Sequence, residues 1–174
     1  MKRIVLESID STNDYVEKTA NKTPGNILVI AKSQTNGRGQ FDRKWFSEPG
    51  RSIALSFLLR NKNGDKELRT GYLERIPHII SAILNELYGV KSKVVLPNDI
   101  KINDKKVCGI LIETYFKADA LKYAAVGVGI NLNNDTFPDD IKPIATSIKL
   151  EIKKDSDAGI LIDKIEEGME KLYG

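Results

Sequence analysis

The sequence predicts an α+β protein in which a mixed, largely antiparallel sheet has helices packed on one face. Two observations support this fold class: segments typical of strands outnumber those typical of helices, and the strands are joined through tight turns as hairpins. The composition adds a third, because 41% hydrophobic and 29% charged residues in a chain of 174 are typical of one globular domain with a buried core. Residues 1–174 are therefore expected to form a single domain.

The N-terminal part of the chain alternates strands with one helix. A loose alternation of apolar residues predicts a strand from Arg3 to Ile9. Residues 11–14, Ser-Thr-Asn-Asp, all favour a helix N-terminus, so a helix should begin there and run to about Lys22. A turn at residues 23–26 then leads into the apolar run from Ile27 to Ala31, which predicts a buried strand.

A long loop without periodicity separates this strand from the next one. It runs from Lys32 to Arg51 and is rich in glycine, polar and basic residues. Loops of this length inside a compact domain usually carry function. The apolar segment from Ser52 to Leu59 then predicts another strand.

A helix follows in the middle of the chain. Apolar residues at helical spacing between Leu73 and Leu87 predict it, and Gly89 is placed to end it. Pro77 either begins the regular part of this helix or kinks it, because proline lacks the N–H that a helix interior needs.

The C-terminal half predicts a hairpin, a long strand and a closing helix. A short strand at residues 93–96 precedes a hairpin of residues 100–102 against residues 107–114, which turns at Asn103-Asp104. Residues 121–130 form another apolar strand. An amphipathic pattern from Asp155 to Leu172 predicts the last helix.

Composition excludes several classes of protein. The single cysteine, Cys108, and the single histidine, His78, exclude an intrachain disulfide and a zinc site built from cysteine and histidine. A net charge of +3 is too small to indicate a nucleic-acid-binding face. No apolar run approaches the ~20 residues of a membrane-spanning helix, and Glu7 argues against a signal peptide. We therefore expect a cytoplasmic protein without DNA or membrane partners.

Gly37-Arg38-Gly39 is the first of three segments that favour ligand chemistry. Glycines let backbone N–H groups approach an anion, and Arg38, Arg43 and Lys44 supply positive charge for a carboxylate or phosphate. An isolated segment of this kind also fits a solvated basic turn. The chain contains neither a Walker loop nor a glycine-rich loop that opens a helix, so any nucleotide would bind in another way.

Pro97-Asn98-Asp99 and Lys106 form the second segment. The predicted hairpin brings Lys106 beside Asp99, where each charge favours the ionised form of the other. Such a pair beside Gly109 suits a metal-bound phosphate and a carboxylate, but a surface salt bridge also explains it. The third segment, Gly127 to Asn131, ends a strand in an amide that can either bind a nucleoside or cap a turn.

Taken in this order and spacing, the segments resemble the biotin protein ligase family. The resemblance extends from residue 11 to residue 131. The residues that carry it are Ser11, Thr12, Asn13, Gln34 to Gly39, Arg43 to Ser47, Pro97 to Asp99, Lys106, Gly109 and Gly127 to Asn131. It implies the α+β fold of biotin and lipoate ligases. It also implies ATP-dependent activation of biotin to biotinyl-5′-AMP, followed by transfer to a lysine of the biotin carboxyl carrier protein domain of a biotin-dependent carboxylase.

The resemblance also implies roles for particular residues. The biotin-binding residues would be Ser11, Thr12, Asn13, Gln34, Gly37, Arg38, Gly39, Gln40, Lys106 and Gly109. The ATP-binding residues would be Arg38, Arg43, Asn98, Asp99, Lys106 and Asn131. Lys106, Arg38 and Asp99 would be catalytic, and Asp99 would assist Mg²⁺ that arrives with the phosphates. ATP, Mg²⁺ and biotin would act as co-substrate, metal and substrate, without a tightly bound prosthetic group.

The chain departs from the family at Gln40, Phe41, Asp42 and Leu96 and in two domains. The family usually reads GRGR where this chain has an amide at Gln40, which should weaken retention of the adenylate. We expect neither an N-terminal DNA-binding domain nor the usual C-terminal β-barrel. A homodimer and the identity of the carrier are left open.

Two alternatives remain at this stage. A lipoate or octanoate ligase-like acyl transferase shares the fold, although its Gly-Gly-Gly-rich signature is missing here. A non-catalytic biotin-binding module is the other. A module that only binds would have no need of Lys106 opposite Asp99.

Overall fold

The computed structural model describes residues 1–61 and 72–173. Its strands are β1 (Lys2–Leu6), β2 (Ile27–Ala31), β3 (Ser52–Arg60), β4 (Lys93–Val95), β5 (Asp99–Ile102), β6 (Lys105–Lys117) and β7 (Ala120–Asn131). Its α-helices are α1 (Thr12–Ala20), α2 (Tyr72–Tyr88), α3 (Ile148–Ile152) and α4 (Ala158–Tyr173). These elements follow the order that the sequence predicts, with the short helix α3 added.

Within the described ranges the strands form one seven-stranded sheet in the order β1-β2-β3-β7-β6-β5-β4. The β1–β2 pair is parallel, and the pairs from β2 to β4 along the sheet are antiparallel. The predicted mixed, largely antiparallel sheet is therefore confirmed. The first strand ends at Leu6, earlier than predicted, and Ile9 instead makes an isolated parallel bridge to Gln34.

The two faces of the sheet carry different helices. On one face, Ile80 of α2 and Ile165 of α4 pack with Phe57 of β3 in the main hydrophobic core. On the other face, Val16 of α1 packs against Val29 of β2 in a smaller cluster. The prediction that all helices lie on one face is therefore wrong for α1. Strands such as β2 and β3 are apolar along nearly their whole length, and such strands need cover on both faces.

Local chain signals agree with the turns and with the helix ends. Asn103 and Asp104 have φ angles of 49° and 64°, as a two-residue turn between antiparallel strands requires. Gly89 follows α2 at a φ of 64°, which favours glycine after a helix C-terminus. Pro77 lies inside α2, and α4 begins at Ala158, three residues later than predicted.

Candidate active site

A cavity of about 250 Å³ opens on the face of the sheet that carries α1. Side chains alternate between the two faces of a strand, so positions 109, 111 and 113 of β6 share this face with positions 127, 129 and 131 of β7. The start of α1 and the long loop from Lys32 to Arg51 form two of its walls, and residues 137–145 form a third. The cavity is thus built from segments that are distant in sequence.

The structure brings nearly all the predicted ligand-binding residues to this cavity. Those that line it are Ser11, Thr12, Asn13, Gln34, Arg38, Gly39, Gln40, Arg43, Asn98, Asp99, Lys106, Gly109 and Asn131. Gly37 differs, because it lies behind the wall, where an added Cβ would come within 2.9 Å of Gln34 Nε2 and of the Trp45 carbonyl. Gly37 therefore allows the loop to pack closely but does not contact the cavity.

Two glycines provide the floor beneath the indole of Trp45. Gly109 and Gly129 are partners across β6 and β7. A Cβ on Gly109 would come within 2.8 Å of Trp45 Cζ3, and a Cβ on Gly129 would come within 2.6 Å of Nε1. The Lys106 ammonium lies 5.4 Å from the ring centroid, within cation–π range. Trp45 thus anchors the end of the long loop to the sheet.

The polar end of the cavity is a hydrogen-bonded network at the start of α1. The backbone N–H and the hydroxyl of Thr12 donate to Gln34 Oε1 at 2.8 and 3.0 Å. Below them, the fully buried Ser56 hydroxyl lies 2.7 Å from Thr12 Oγ1 and donates to Asn13 Oδ1 at 2.6 Å. The sequence analysis missed Ser56, although an isolated polar residue within an apolar strand was a usable signal. Ser11 caps α1 by accepting a hydrogen bond from the Asp14 N–H at 3.3 Å.

Arg38 reaches from the loop to two carboxylates that the sequence analysis did not assign. It forms ion pairs with Asp14 of α1 at 2.5 Å and with Glu113 of β6 at 3.1 Å. Burial lowers the pKa of Arg38, but the hydrogen bonds that it donates to Asp14 and Glu113 outweigh burial and raise the pKa above its usual value. The guanidinium therefore stays charged. The sequence did contain a signal for Glu113, because it lies four residues after Gly109 in a predicted strand and so faces the same side.

The predicted Asp99–Lys106 pair is present at the opposite end of the cavity. Lys106 Nζ lies 2.7 Å from Asp99 Oδ1, and each side chain is less than a third exposed. Asn98 Nδ2 donates to the Ile110 carbonyl at 2.9 Å, which fixes the start of β5 against β6. Asn131 Nδ2 donates to the Thr146 carbonyl at 3.0 Å and so ties the end of β7 to the third wall.

The apolar part of the third wall was missed by sequence reasoning. Phe137, Ile141 and Ile144 line the cavity, and Phe137 meets Phe46 of the loop edge to face at a ring distance of 6.1 Å. The backbone of this segment is fixed, because the Lys106 N–H donates to the Ile144 carbonyl at 2.7 Å. Such a wall shields part of the cavity from water.

The described residues contain no group of three or more His, Cys, Asp or Glu side chains that would hold a metal on its own. Mg²⁺ commonly uses one or two carboxylates together with substrate phosphates, so the single carboxylate of Asp99 suits a metal that arrives with a nucleotide. Cys108 is buried beside this pair, and burial raises the pKa of its thiol. A protonated thiol is a poor ligand and a poor nucleophile.

A family model described as the biotin/lipoate A/B protein ligase family matches residues 5–131. The chain belongs to this family. The bifunctional ligase/repressor BirA of Bacillus spizizenii is 34% identical over 173 residues, which cover 98% of this chain and 53% of that protein. BirA of Escherichia coli is 34% identical over 128 residues, which cover 74% of this chain and 40% of that protein. The chain thus spans about half the length of these relatives.

A solved structure of the family supports the fold assignment. The biotin protein ligase from Aquifex aeolicus, determined in complex with biotin and ATP, has a TM-score of 0.81 to this chain at 28% identity. The alignment covers 99% of this chain and 70% of that one. The α+β class and the biotin and lipoate ligase fold are therefore confirmed.

Proposed function

We propose that this protein joins biotin to AMP at the expense of ATP and transfers the biotin to a lysine of a biotin carboxyl carrier protein. The observation that carries the proposal is that one cavity holds a hydrogen-bonding network at one end and an ion pair at the other. A polar network at Thr12, Asn13 and Gln34 lies at one end, and the Asp99–Lys106 pair lies at the other. An elongated ligand with a hydrogen-bonding head and a carboxylate tail suits this arrangement.

The polar network is suited to the ureido ring of biotin. That ring offers two N–H donors and one carbonyl acceptor, and Ser11, Thr12, Asn13 and Gln34 offer hydroxyl and amide groups of both kinds. Thr12 and Asn13 are each 3% exposed, so a ligand at this end would be largely removed from water. Biotin-binding roles for Gly39, Gln40, Lys106 and Gly109, toward the valerate and carboxylate end, belong to the same proposal. So does a role for Arg38, which lies beside the polar network.

The first chemical step brings two anions together. A carboxylate oxygen of biotin attacks the α-phosphorus of ATP, the bond to the β-phosphate oxygen breaks, and pyrophosphate leaves. We assign Lys106 to the space between the carboxylate and the α-phosphate, because a fixed cation lowers their repulsion most in the transition state. Asp99 holds the Lys106 ammonium at 2.7 Å and so orients it. Arg38, the third residue assigned to catalysis, is paired with Asp14 and Glu113 and would act on this step chiefly by holding the loop in place.

The nucleotide is assigned to the part of the cavity lined by Arg43, Asn98, Asp99 and Asn131. Arg43 is exposed, and its Nε donates to the Gln40 carbonyl at 3.1 Å, which leaves its terminal N–H groups to offer to a phosphate. Mg²⁺ would be held by the phosphates with Asp99 and would neutralise charge on the leaving pyrophosphate. In the second step the amine of the carrier lysine attacks the carbonyl carbon of the mixed anhydride, and AMP leaves.

The long loop would protect the reactive anhydride from water. Its hairpin is closed by hydrogen bonds from the Gly39 N–H to the Arg43 carbonyl at 2.7 Å and from the Trp45 N–H to the Gly37 carbonyl at 2.8 Å. The apolar third wall lies opposite. Exclusion of water until the carrier lysine arrives would prevent wasteful hydrolysis.

Lipoate or octanoate is the main alternative substrate, because the family includes lipoate ligases as well as biotin ligases. The polar end of the cavity favours biotin. A dithiolane ring or an alkyl chain has no N–H or carbonyl group with which to pair the buried amides and hydroxyls, and unpaired polar groups lower affinity strongly. A non-catalytic binding module is disfavoured by the oriented Lys106.

The partner is a carrier domain that presents an exposed lysine, and we propose action in the cytoplasm. Within the described residues, no helix has the length and apolarity that crossing a membrane requires.

Incubation with ATP, Mg²⁺ and labelled biotin tests the proposal. The expected products are biotinyl-AMP and pyrophosphate, separated by chromatography. Parallel reactions with lipoate and octanoate serve as the matched comparison. Acyl-AMP formation from those acids in preference to biotin would assign the chain to the lipoate branch, and binding of biotin without any adenylate would indicate a binding module.

A further inference from the structure

We infer that Asp14 and Glu113 are positioning residues that hold Arg38, and through it the loop from Lys32 to Arg51, closed over the cavity; the inference rests on the proposed function. The three side chains come from separate elements: Asp14 from α1, Arg38 from the loop and Glu113 from β6. We call this group the Arg38 bridge. It connects the loop to the two elements that frame the polar end of the cavity.

The bridge leaves Arg38 little capacity for a ligand. Its Nε and Nη2 donate to Asp14 Oδ1 at 2.9 and 2.5 Å. Its Nη1 and Nη2 donate to the Glu113 carboxylate at 3.1 and 3.2 Å. These bonds occupy all but one of the N–H groups of a guanidinium. Arg38 therefore acts mainly by fixing the loop while the bridge is intact, and a ligand oxygen receives at most the remaining N–H.

Glu113 also supports the polar end of the cavity from behind, through Asn13. Its Oε2 accepts a hydrogen bond from Asn13 Nδ2 at 2.8 Å, and the same oxygen accepts from Arg38 Nη2. The Asn13 amide is thereby fixed between Glu113 and the Ser56 hydroxyl. The Glu113 carboxylate thus orients both Asn13, which is proposed to bind biotin, and Arg38 of the loop. Loss of this carboxylate should therefore affect biotin binding and loop position together.

The environment of the bridge separates it from an ordinary surface ion pair. The side chains of Arg38, Asp14 and Glu113 are only 28–30% exposed. Charge-assisted hydrogen bonds with several contacts and partial burial are stronger than exposed pairs, which contribute little. Without the arginine, Asp14 and Glu113 would face each other as like charges, with Glu17 adding a third negative charge nearby.

Hydrogen exchange in the ligand-free protein tests the loop directly. The reporters are the N–H groups of Gly39 and Trp45, which close the loop hairpin, and the reference is the Thr35 N–H, which donates to the Ile9 carbonyl at 3.0 Å at the base of the loop. In Asp14→Asn and Glu113→Gln we expect exchange at Gly39 and Trp45 to accelerate about tenfold, and exchange at Thr35 to stay unchanged.

Glu17→Gln is the matched control, because it removes the same charge from the neighbourhood without removing a bridge contact. It should leave all three amides at their wild-type rates. Equal acceleration in Glu17→Gln would overturn the inference, since net charge would then explain the effect. Wild-type rates at Gly39 and Trp45 in both carboxylate variants would also overturn it.

A double-variant cycle tests whether the carboxylates act through Arg38. We expect Arg38→Ala combined with Glu113→Gln to exchange no faster at Gly39 and Trp45 than Arg38→Ala alone. Biotin affinity without ATP should fall about tenfold in Glu113→Gln and less in Asp14→Asn, because Asp14 has no bond to Asn13. Additive loop effects, or equal losses of biotin affinity, would overturn the inference.

These readouts separate the bridge from the proposed function. Hydrogen exchange needs neither biotin nor ATP, so a protein that forms no adenylate would refute the proposed function and still report on the bridge. Conversely, normal adenylate formation with a loop insensitive to both carboxylates would refute the bridge alone.

Discussion

Replacement of Gly129 by alanine should displace Trp45 from the sheet. A Cβ at this position would approach the indole to within 2.6 Å of Nε1 and 2.7 Å of Cζ2, far inside van der Waals contact. The opposing residue of β6 is Gly109, whose own Cβ would meet the same ring, so the indole has no free space toward that strand. The ring must therefore move away from the strands and carry the end of the loop with it.

The cost follows from overpacking. An extra methyl group in a packed site lowers the free energy of unfolding by about 1–3 kcal/mol. For a domain of this size that lowers the melting temperature by roughly 2–12 °C. Gly25→Ala is the matched control, because a Cβ there meets nothing within 4 Å and the backbone lies outside the left-handed region. It should be neutral or stabilise by about 0.4–1 kcal/mol.

The assay uses the fact that Trp45 is the only tryptophan in the chain. Intrinsic fluorescence excited at the tryptophan band should shift to the red in Gly129→Ala, together with loss of biotin-dependent adenylate formation, and stay unchanged in Gly25→Ala. A Gly129→Ala protein with wild-type fluorescence and melting temperature would refute the argument that glycine is required beneath Trp45.

Three further predictions concern single residues. Lys106→Ala should lower the rate of adenylate formation about a hundredfold or more while biotin binding survives, measured by pyrophosphate release and by calorimetry; near-normal release would remove Lys106 from the mechanism. Gln40→Arg should slow dissociation of labelled biotinyl-AMP by roughly ten- to a hundredfold, because it restores the charged contact that the family usually has at this position. Labelling of bystander lysines should fall as well. Equal release rates from the two proteins would show that another group already retains the adenylate. Cys108 should resist iodoacetamide in the native protein and react after unfolding, because burial raises its pKa and blocks access; rapid native labelling, followed by mass spectrometry, would contradict the buried placement.

Local signals in the sequence predicted the strands, the long loop, the hairpin turn and the ends of the helices. Each depends on neighbouring residues: apolar alternation for the strands, Ser11 for the start of α1, and Asn103-Asp104 for the turn. Element boundaries moved by a few residues because hydrogen-bond partners from elsewhere decide where a strand ends. Leu6 is an example, since its carbonyl accepts from the Lys32 N–H.

The position of α1 could not be derived from local pattern. The apolar run of β2 indicated a buried strand, but the strand order of the sheet decides which helix covers which face. The short β1–α1–β2 unit places α1 opposite to α2 and α4. That arrangement places the glycine-bearing positions of β6 and β7 beside the start of α1, where Trp45 and Asn13 pack against them and the cavity forms.

The site was predicted as a set of residues but not as a network. Sequence motifs identify Arg38, Lys106 and Asn131 as candidate site residues. The partners of Arg38, however, are Asp14 and Glu113, which lie 24 and 75 residues away in the sequence. Ser56 and the apolar wall of residues 137–145 carry no motif. Their contribution depends on the fold, which is why sequence reasoning assigned ligand roles more readily than supporting roles.

The most direct test of the central claim is biotin-dependent exchange of labelled pyrophosphate into ATP. This exchange reports reversible formation of the acyl adenylate without any carrier protein, so it isolates the chemistry assigned to the cavity. We predict exchange with biotin, strong loss of that exchange in Lys106→Ala, and little exchange with lipoate or octanoate. Exchange driven equally by lipoate, or its absence with biotin in a protein that still binds biotin, would contradict the account.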